Sequence, residues 1–128
     1  MEFQVGDKIK RSGPLGTWHI GIFLGRDLWG RDWVIHNEKN GYVKEDLLSN
    51  FAAGNQVSFA SRAAHNRQEQ RQIVARARSL LGQEFDLLNF NCDHFATYAE
   101  TGEASSPQLR QFAVGAVTLA ALILLAKS

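Results

Sequence analysis

Apolar and polar positions alternate in short runs along the first sixty residues, and turn residues separate the runs. Val5 to Arg11 reads as a strand that ends at Ser12-Gly13-Pro14, a turn signal. From Thr17 to Leu24 the alternation is clean. Trp18, Ile20, Ile22 and Leu24 take one face, while Thr17, His19, Gly21 and Phe23 take the other. Gly25 to Asp32 reads as a loop and Trp33 to Glu38 as the next strand. Asn40-Gly41 is the strongest short hairpin signal in the chain. Tyr42 to Leu48 follows as its partner strand, Ala53-Gly54-Asn55 turns again, and Gln56 to Ala60 forms a further short strand.

The period then lengthens. Ile73, Val74, Ala77, Leu80 and Leu81 fall on one stripe of a helix spanning about Arg67 to Leu81, and Gly82 stops it. Phe85 to Phe90 is ambiguous. Asn91 reads as the N-cap of a helix from Cys92 to about Thr101, with Gly102 as its C′ residue. Strands before helices predict an α+β fold with a mostly antiparallel sheet.

Glu103 to Gln108 reads as a polar linker, which divides the chain into a folded domain, 1–106, and an apolar tail, 107–128. Phe112 to Ala126 holds no charged residue and lies between Arg110 and Lys127. As a helix this run reaches about 22 Å, short of the ~30 Å hydrocarbon core. Length favours a buried terminal helix, whereas the lack of any polar face favours a C-terminal membrane anchor. The N-terminus has neither the basic start nor the apolar run of a secretory signal.

Composition narrows the function classes. At 128 residues and 45% hydrophobic content the chain can bury a core without staples. Fourteen basic against thirteen acidic residues leave a net charge of +1, which argues against a nucleic-acid binder that relies on bulk charge. Charge is uneven, however. Arg62 to Arg78 holds five arginines and one acid, Glu69. Such a segment is either a solvated helix face or a face suited to an anionic membrane. The single cysteine, Cys92, excludes an internal disulfide and any zinc site built on several thiolates.

The same cysteine opens the chemical question. In the first turn of a helix, its sulfur faces backbone N–H groups and the positive end of the helix dipole, which lowers a thiol pKa. Asp93 pushes the other way, so a basic partner is needed; a lone cysteine is otherwise an inert buried residue. His19 and His36 supply the candidate partner. If Leu24 pairs with Trp33, His36 falls opposite Gly21, and His19 becomes its diagonal neighbour, with Gly21 leaving open space beside them. Cys92, His19 and His36 are then the parts of a Cys–His–His site, in which one imidazole takes the thiol proton and the other orients the first. Two unrelated strand histidines are the alternative. A zinc site from the same three residues fits by ligand type but lacks a short-spaced ligand pair. The glycines are scattered at turns and form no phosphate loop. His94 should point to another side of the helix in a structural role, and His65 lies near the start of the arginine-rich helix, as a candidate cap.

The chain resembles the lecithin–retinol acyltransferase family, in its H-Ras-like suppressor phospholipase/acyltransferase branch. The resemblance is carried by Gly6-Asp7-Lys8-Ile9, Trp18 to Gly25, Val34-Ile35-His36, Leu80 to Glu84 and Asn91-Cys92-Asp93-His94-Phe95, where Asp93 stands in place of the family's Glu. The His19–His36 loop is a few residues longer than in the vertebrate enzymes, and Asn37 to Asn40 is more polar. The resemblance implies a permuted, NlpC-type papain-like cysteine fold. It implies Cys92 as nucleophile, His19 as general base and His36 as the orienting residue, with no metal or organic cofactor. The implied substrate is a glycerophospholipid, whose acyl chain passes through a Cys92 thioester to water, an amine or a lyso-lipid. The implied location is the cytoplasmic face of a membrane, reached through the tail. A cysteine peptidase or amidase on the same fold and a catalytically silent, membrane-tethered interaction module are the rival readings.

Overall fold

The computed structural model describes residues 2–39, 41–86 and 91–103. Strands β1 (Lys8–Ser12), β2 (Trp18–Arg26), β3 (Asp32–Asn37) and β4 (Val43–Leu47) come first. Helix α1 (Leu48–Ala52), strand β5 (Ser58–Ser61) and helices α2 (Arg67–Arg78) and α3 (Cys92–Thr101) complete the described order. The five strands form one antiparallel sheet in the order β4-β3-β2-β1-β5. The fold is α+β, as the sequence pattern predicts. The proposed apolar helix at Phe112 to Ala126 and the proposed boundary at 106/107 lie outside the described residues.

The alternation along β2 divides the core in two. Ile20 and Ile22, with Ile35 and Val43, face α2 and α3 and meet Ile73, Ala77, Phe95, Ala96 and Ala99. Phe23 and Val34, with Ile9, face the opposite way and meet Phe51 of α1. A side-chain period of two puts consecutive strand residues into different layers, so both layers are apolar. His19, Gly21 and His36 share the Phe51 side.

Several elements differ from the pattern reading. The first strand begins at Lys8, because Gly6 turns the chain at φ 90°. Helix α1 interrupts the expected run of strands. It is five residues long, and its N-cap position, Leu47, supplies no side-chain cap, so neither periodicity nor capping announces it. Helix α2 ends at Arg78 and not Leu81: Ser79 Oγ bonds the Arg76 carbonyl at 2.6 Å. The chain then turns through Gly82 to the β4 edge, where Val43 N–H meets the Gln83 carbonyl at 2.9 Å and Gly82 N–H the Val43 carbonyl at 2.9 Å. Asn40 of the expected Asn-Gly turn and residues 87–90 of the ambiguous stretch are outside the described residues.

The arginine-rich segment is largely spoken for inside the protein. Arg62 forks onto the buried Asp7 carboxylate at 2.8 Å through both Nε and Nη2. Arg76 donates to the Ala99 and Glu100 carbonyls at 2.8 and 2.9 Å, which caps the C-terminal turn of α3. Arg78 pairs with Glu45 at 3.1 Å. Three of the five arginines therefore tie elements together. His65 is exposed, and the cap of α2 is its neighbour Asn66, whose Oδ1 accepts from Glu69 N–H at 2.8 Å.

Among the described residues no helix is long and apolar enough to cross a membrane.

Candidate active site

Strand pairing brings the two histidines together. Gly21 lies opposite His36, Ile22 opposite Ile35 and Phe23 opposite Val34, which is the register the sequence suggests at this end. It does not continue to Leu24. A bulge between Phe23 and Gly25 places Gly25, not Leu24, opposite Trp33. The extra residue is absorbed away from the histidines, so His19 and His36 remain diagonal neighbours. His19 Nε2 lies 2.9 Å from His36 Nδ1.

The space beside Gly21 is filled. The Phe51 ring stacks on His19 with centroids 5.2 Å apart and meets His36 edge-on at 5.3 Å. A Cβ at Gly21 would come within 2.7 Å of Val34 Cγ1 and 3.0 Å of Phe51 Cε1. Glycine is needed here for closeness, so the expectation of an open space is corrected. Phe51 itself is held from behind, because Arg11 Nε donates to its carbonyl at 2.5 Å.

Cys92 opens α3. Asn91 caps the helix: its Oδ1 accepts from the N–H groups of Asp93 and His94 at 2.9 and 3.0 Å. His94 Nδ1 accepts in return from Asn91 N–H at 3.0 Å, closing a capping box. His94 thus has the structural role expected of it. The Cys92 Sγ lies 3.5 Å from the Trp18 carbonyl and receives the Ile20 N–H. Trp18 and Ile20 flank His19, so the thiol rests against the strand segment that carries the imidazole.

The electrostatics are those of a neutral resting pair. Burial, then His36 and the Arg11 guanidinium, push His19 down to about 3. Burial also lowers His36, outweighing the opposing pull of Asp46 and Glu38. Burial pushes the Cys92 thiol above its ordinary value, and Asp93 adds to this, while the Ile20, Asp93 and Cys92 N–H groups only partly oppose it. The helix N-terminus favours the thiolate and Asp93 opposes it, as expected, but the largest influence is burial: desolvation of the thiolate outweighs the backbone donors.

Pattern reading missed Phe51 and Asp46. Asp46 Oδ2 lies 3.5 Å from His36 Nε2. The available signal for Asp46 was its strand position: it sits opposite Val34 in β4 and therefore shares the face of His36. Among the described residues no three His, Cys, Asp or Glu side chains are grouped so as to hold a metal ion. One surface groove, lined in part by Phe3, Phe23, Arg62 and His65, does not border the Cys92, His19 or His36 side chains.

Comparison with known families decides the kinship. The family model for lecithin retinol acyltransferase matches residues 1–105. The chain belongs to the lecithin retinol acyltransferase family. That family is papain-like, and its chemistry in general is acyl transfer and the related acyl hydrolysis. No curated protein matches the chain.

Proposed function

We propose that this family member is a thiol-dependent phospholipase A/acyltransferase of the H-Ras-like suppressor type. The observation that carries the reading is the placement of the Cys92 thiol on the Trp18–Ile20 backbone around a neutral His19, whose Nε2 is engaged by His36. A neutral imidazole is a base, and a protonated one is not.

With Nε2 engaged, Nδ1 is the nitrogen that takes the thiol proton as Sγ attacks the ester carbonyl of a glycerophospholipid. The carbonyl oxygen becomes an oxyanion. Asn91 occupies the Asp93 and His94 N–H groups, so the Cys92 N–H is the first-turn donor that the cap leaves for that charge. Collapse breaks the ester C–O bond, and His19 returns its proton to the departing lyso-lipid oxygen. The acyl group is then a thioester on Cys92. His19 next deprotonates water, an amine or a lyso-lipid hydroxyl, which attacks the thioester and restores the thiol. Forming the thiolate only as it attacks removes the need for a resting ion pair in a buried site. The tail supplies membrane residence on the cytoplasmic face, beside the substrate.

The test is incubation with phosphatidylcholine carrying a labelled acyl chain, with and without a lyso-lipid or amine acceptor. Labelled fatty acid without acceptor and labelled acyl-acceptor with it support the reading. Turnover of peptide or amide substrates with no release from the lipid would favour the peptidase reading.

A further inference from the structure

We infer that Asp46 is the positioning residue of the histidine pair: its carboxylate dictates which nitrogen of His36, and through it which nitrogen of His19, carries the proton. The inference deepens the proposed function, because it rests on His19 as the base.

The two oxygens of Asp46 have separate duties. Oδ1 accepts from Leu47 N–H at 2.9 Å and from Asn50 Nδ2 at 2.8 Å, which fastens it to the start of α1. Oδ2 faces His36 Nε2 at 3.5 Å and Lys44 Nζ at 3.6 Å. Burial works to raise this carboxyl. Asn50, His36, the Leu47 N–H and Lys44 outweigh it and hold the group below its ordinary value. Asp46 is therefore ionised near neutral pH, and an ionised carboxylate only accepts hydrogen bonds.

Proton placement follows link by link. Facing an acceptor, neutral His36 carries its proton on Nε2, and its Nδ1 is left with a lone pair. That Nδ1 lies 2.9 Å from His19 Nε2, so the latter is the donor and carries the His19 proton. His19 Nδ1 is then the unprotonated nitrogen, the form a general base requires. The opposite arrangement protonates Nδ1 and removes the base without moving an atom.

Asp46→Asn tests this because it is nearly isosteric. Its side-chain oxygen stays with the two donors, Leu47 N–H and Asn50 Nδ2, so its NH₂ turns to His36 Nε2. His36 must then accept at Nε2 and donate from Nδ1, and His19 is left protonated on Nδ1. The expected loss in kcat is at least about 100-fold with KM little changed, the pattern of a wrong tautomer in intact geometry. Asp46→Glu keeps an acceptor-only group and should recover at least about tenfold over Asp46→Asn.

The decisive readout is NMR of the imidazole nitrogens in ¹⁵N-histidine-labelled full-length protein. We expect both His36 and His19 protonated on Nε2 in the wild type, and both on Nδ1 in Asp46→Asn. A wild-type His36 protonated on Nδ1, or a folded Asp46→Asn protein with wild-type tautomers, overturns the inference. The wild-type spectrum decides even if Asp46→Asn does not fold. It needs no lipid, so absence of phospholipid turnover alongside the expected tautomers counts against the proposed function and not against the role of Asp46.

Discussion

Phe51 stacks on His19 with ring planes 29° apart, so an apolar ring from the short helix α1 forms the wall of the histidine pair. Phe51 is almost wholly buried with Ile9, Phe23 and Val34, and so couples the stability of this layer to the state of the site. Phe51→Ala should cost about 3–5 kcal/mol, the range for emptying a buried aromatic site. It should also let water reach His19 and raise its pKa. Gly21→Ala should act on the same contact from the other side, costing about 1–3 kcal/mol by overpacking against Val34 and Phe51. Urea unfolding of both variants checks the magnitudes. Two near-neutral results would mean that this wall is not packed as described.

Acid should destabilise the protein before its carboxylates are protonated. Folding lowers His19 to about 3 and also lowers His36, whereas an unfolded histidine titrates near 6.5. As pH falls below about 6.5 the unfolded state binds protons that the folded state refuses, so unfolding becomes easier down to about pH 3. Above about 6.5 both states hold neutral imidazoles and the effect vanishes. Measured by denaturant titration from pH 7.5 to 4, His19→Gln should weaken the slope within that window. An unchanged slope would contradict a neutral, buried His19.

Arg76 should matter to fold and not to chemistry. Its guanidinium takes the Ala99 and Glu100 carbonyls at the end of α3, opposite the end that carries Cys92. Arg76→Met keeps the apolar stem and removes the donors, with an expected cost of about 1–3 kcal/mol. Thermal unfolding should show the loss, while turnover per folded molecule at low temperature stays close to wild type.

Resting reactivity of Cys92 should be low. With burial holding the thiol above its ordinary value, iodoacetamide at pH 7 should alkylate it more slowly than free cysteine, with the rate still climbing at alkaline pH where free cysteine has levelled off. Slow alkylation is thus expected of an active enzyme that activates its thiol only with substrate bound. It does not by itself mark a silent module. Alkylation faster than free cysteine at pH 7 would contradict the neutral resting pair.

Much of this arrangement was legible in the chain. The alternation from Thr17 to Leu24 sorts Ile20 and Ile22 from His19 and Gly21, and the same sorting separates the two core layers. Asn91 and Gly102 mark both ends of α3, because an N-cap acceptor and a left-handed C′ glycine are local requirements that local residues meet. What escaped depends on contacts distant in sequence. Helix α1 is too short to show a period and is kept by Phe51 packing and by Asp46 and Arg11. Asp46 reads as one more polar residue in an edge strand until pairing sets it beside His36. The state of the thiol escapes for the same reason: the dipole of α3 is visible in sequence, and the burial that overrides it is not.

If Cys92 carries the acyl group, intact-protein mass spectrometry should detect it there. Full-length protein is mixed with vesicles of a single phosphatidylcholine and quenched in acid within seconds to minutes. A mass increase of one acyl chain is expected, removed by neutral hydroxylamine as a thioester is, and mapped to Cys92. The adduct should be absent in Cys92→Ser, whose turnover should fall by at least about 10³-fold, and should form far more slowly in His19→Ala. Lipid turnover with no adduct at any quench time, or undiminished turnover in folded Cys92→Ser, would contradict Cys92 as the acyl carrier.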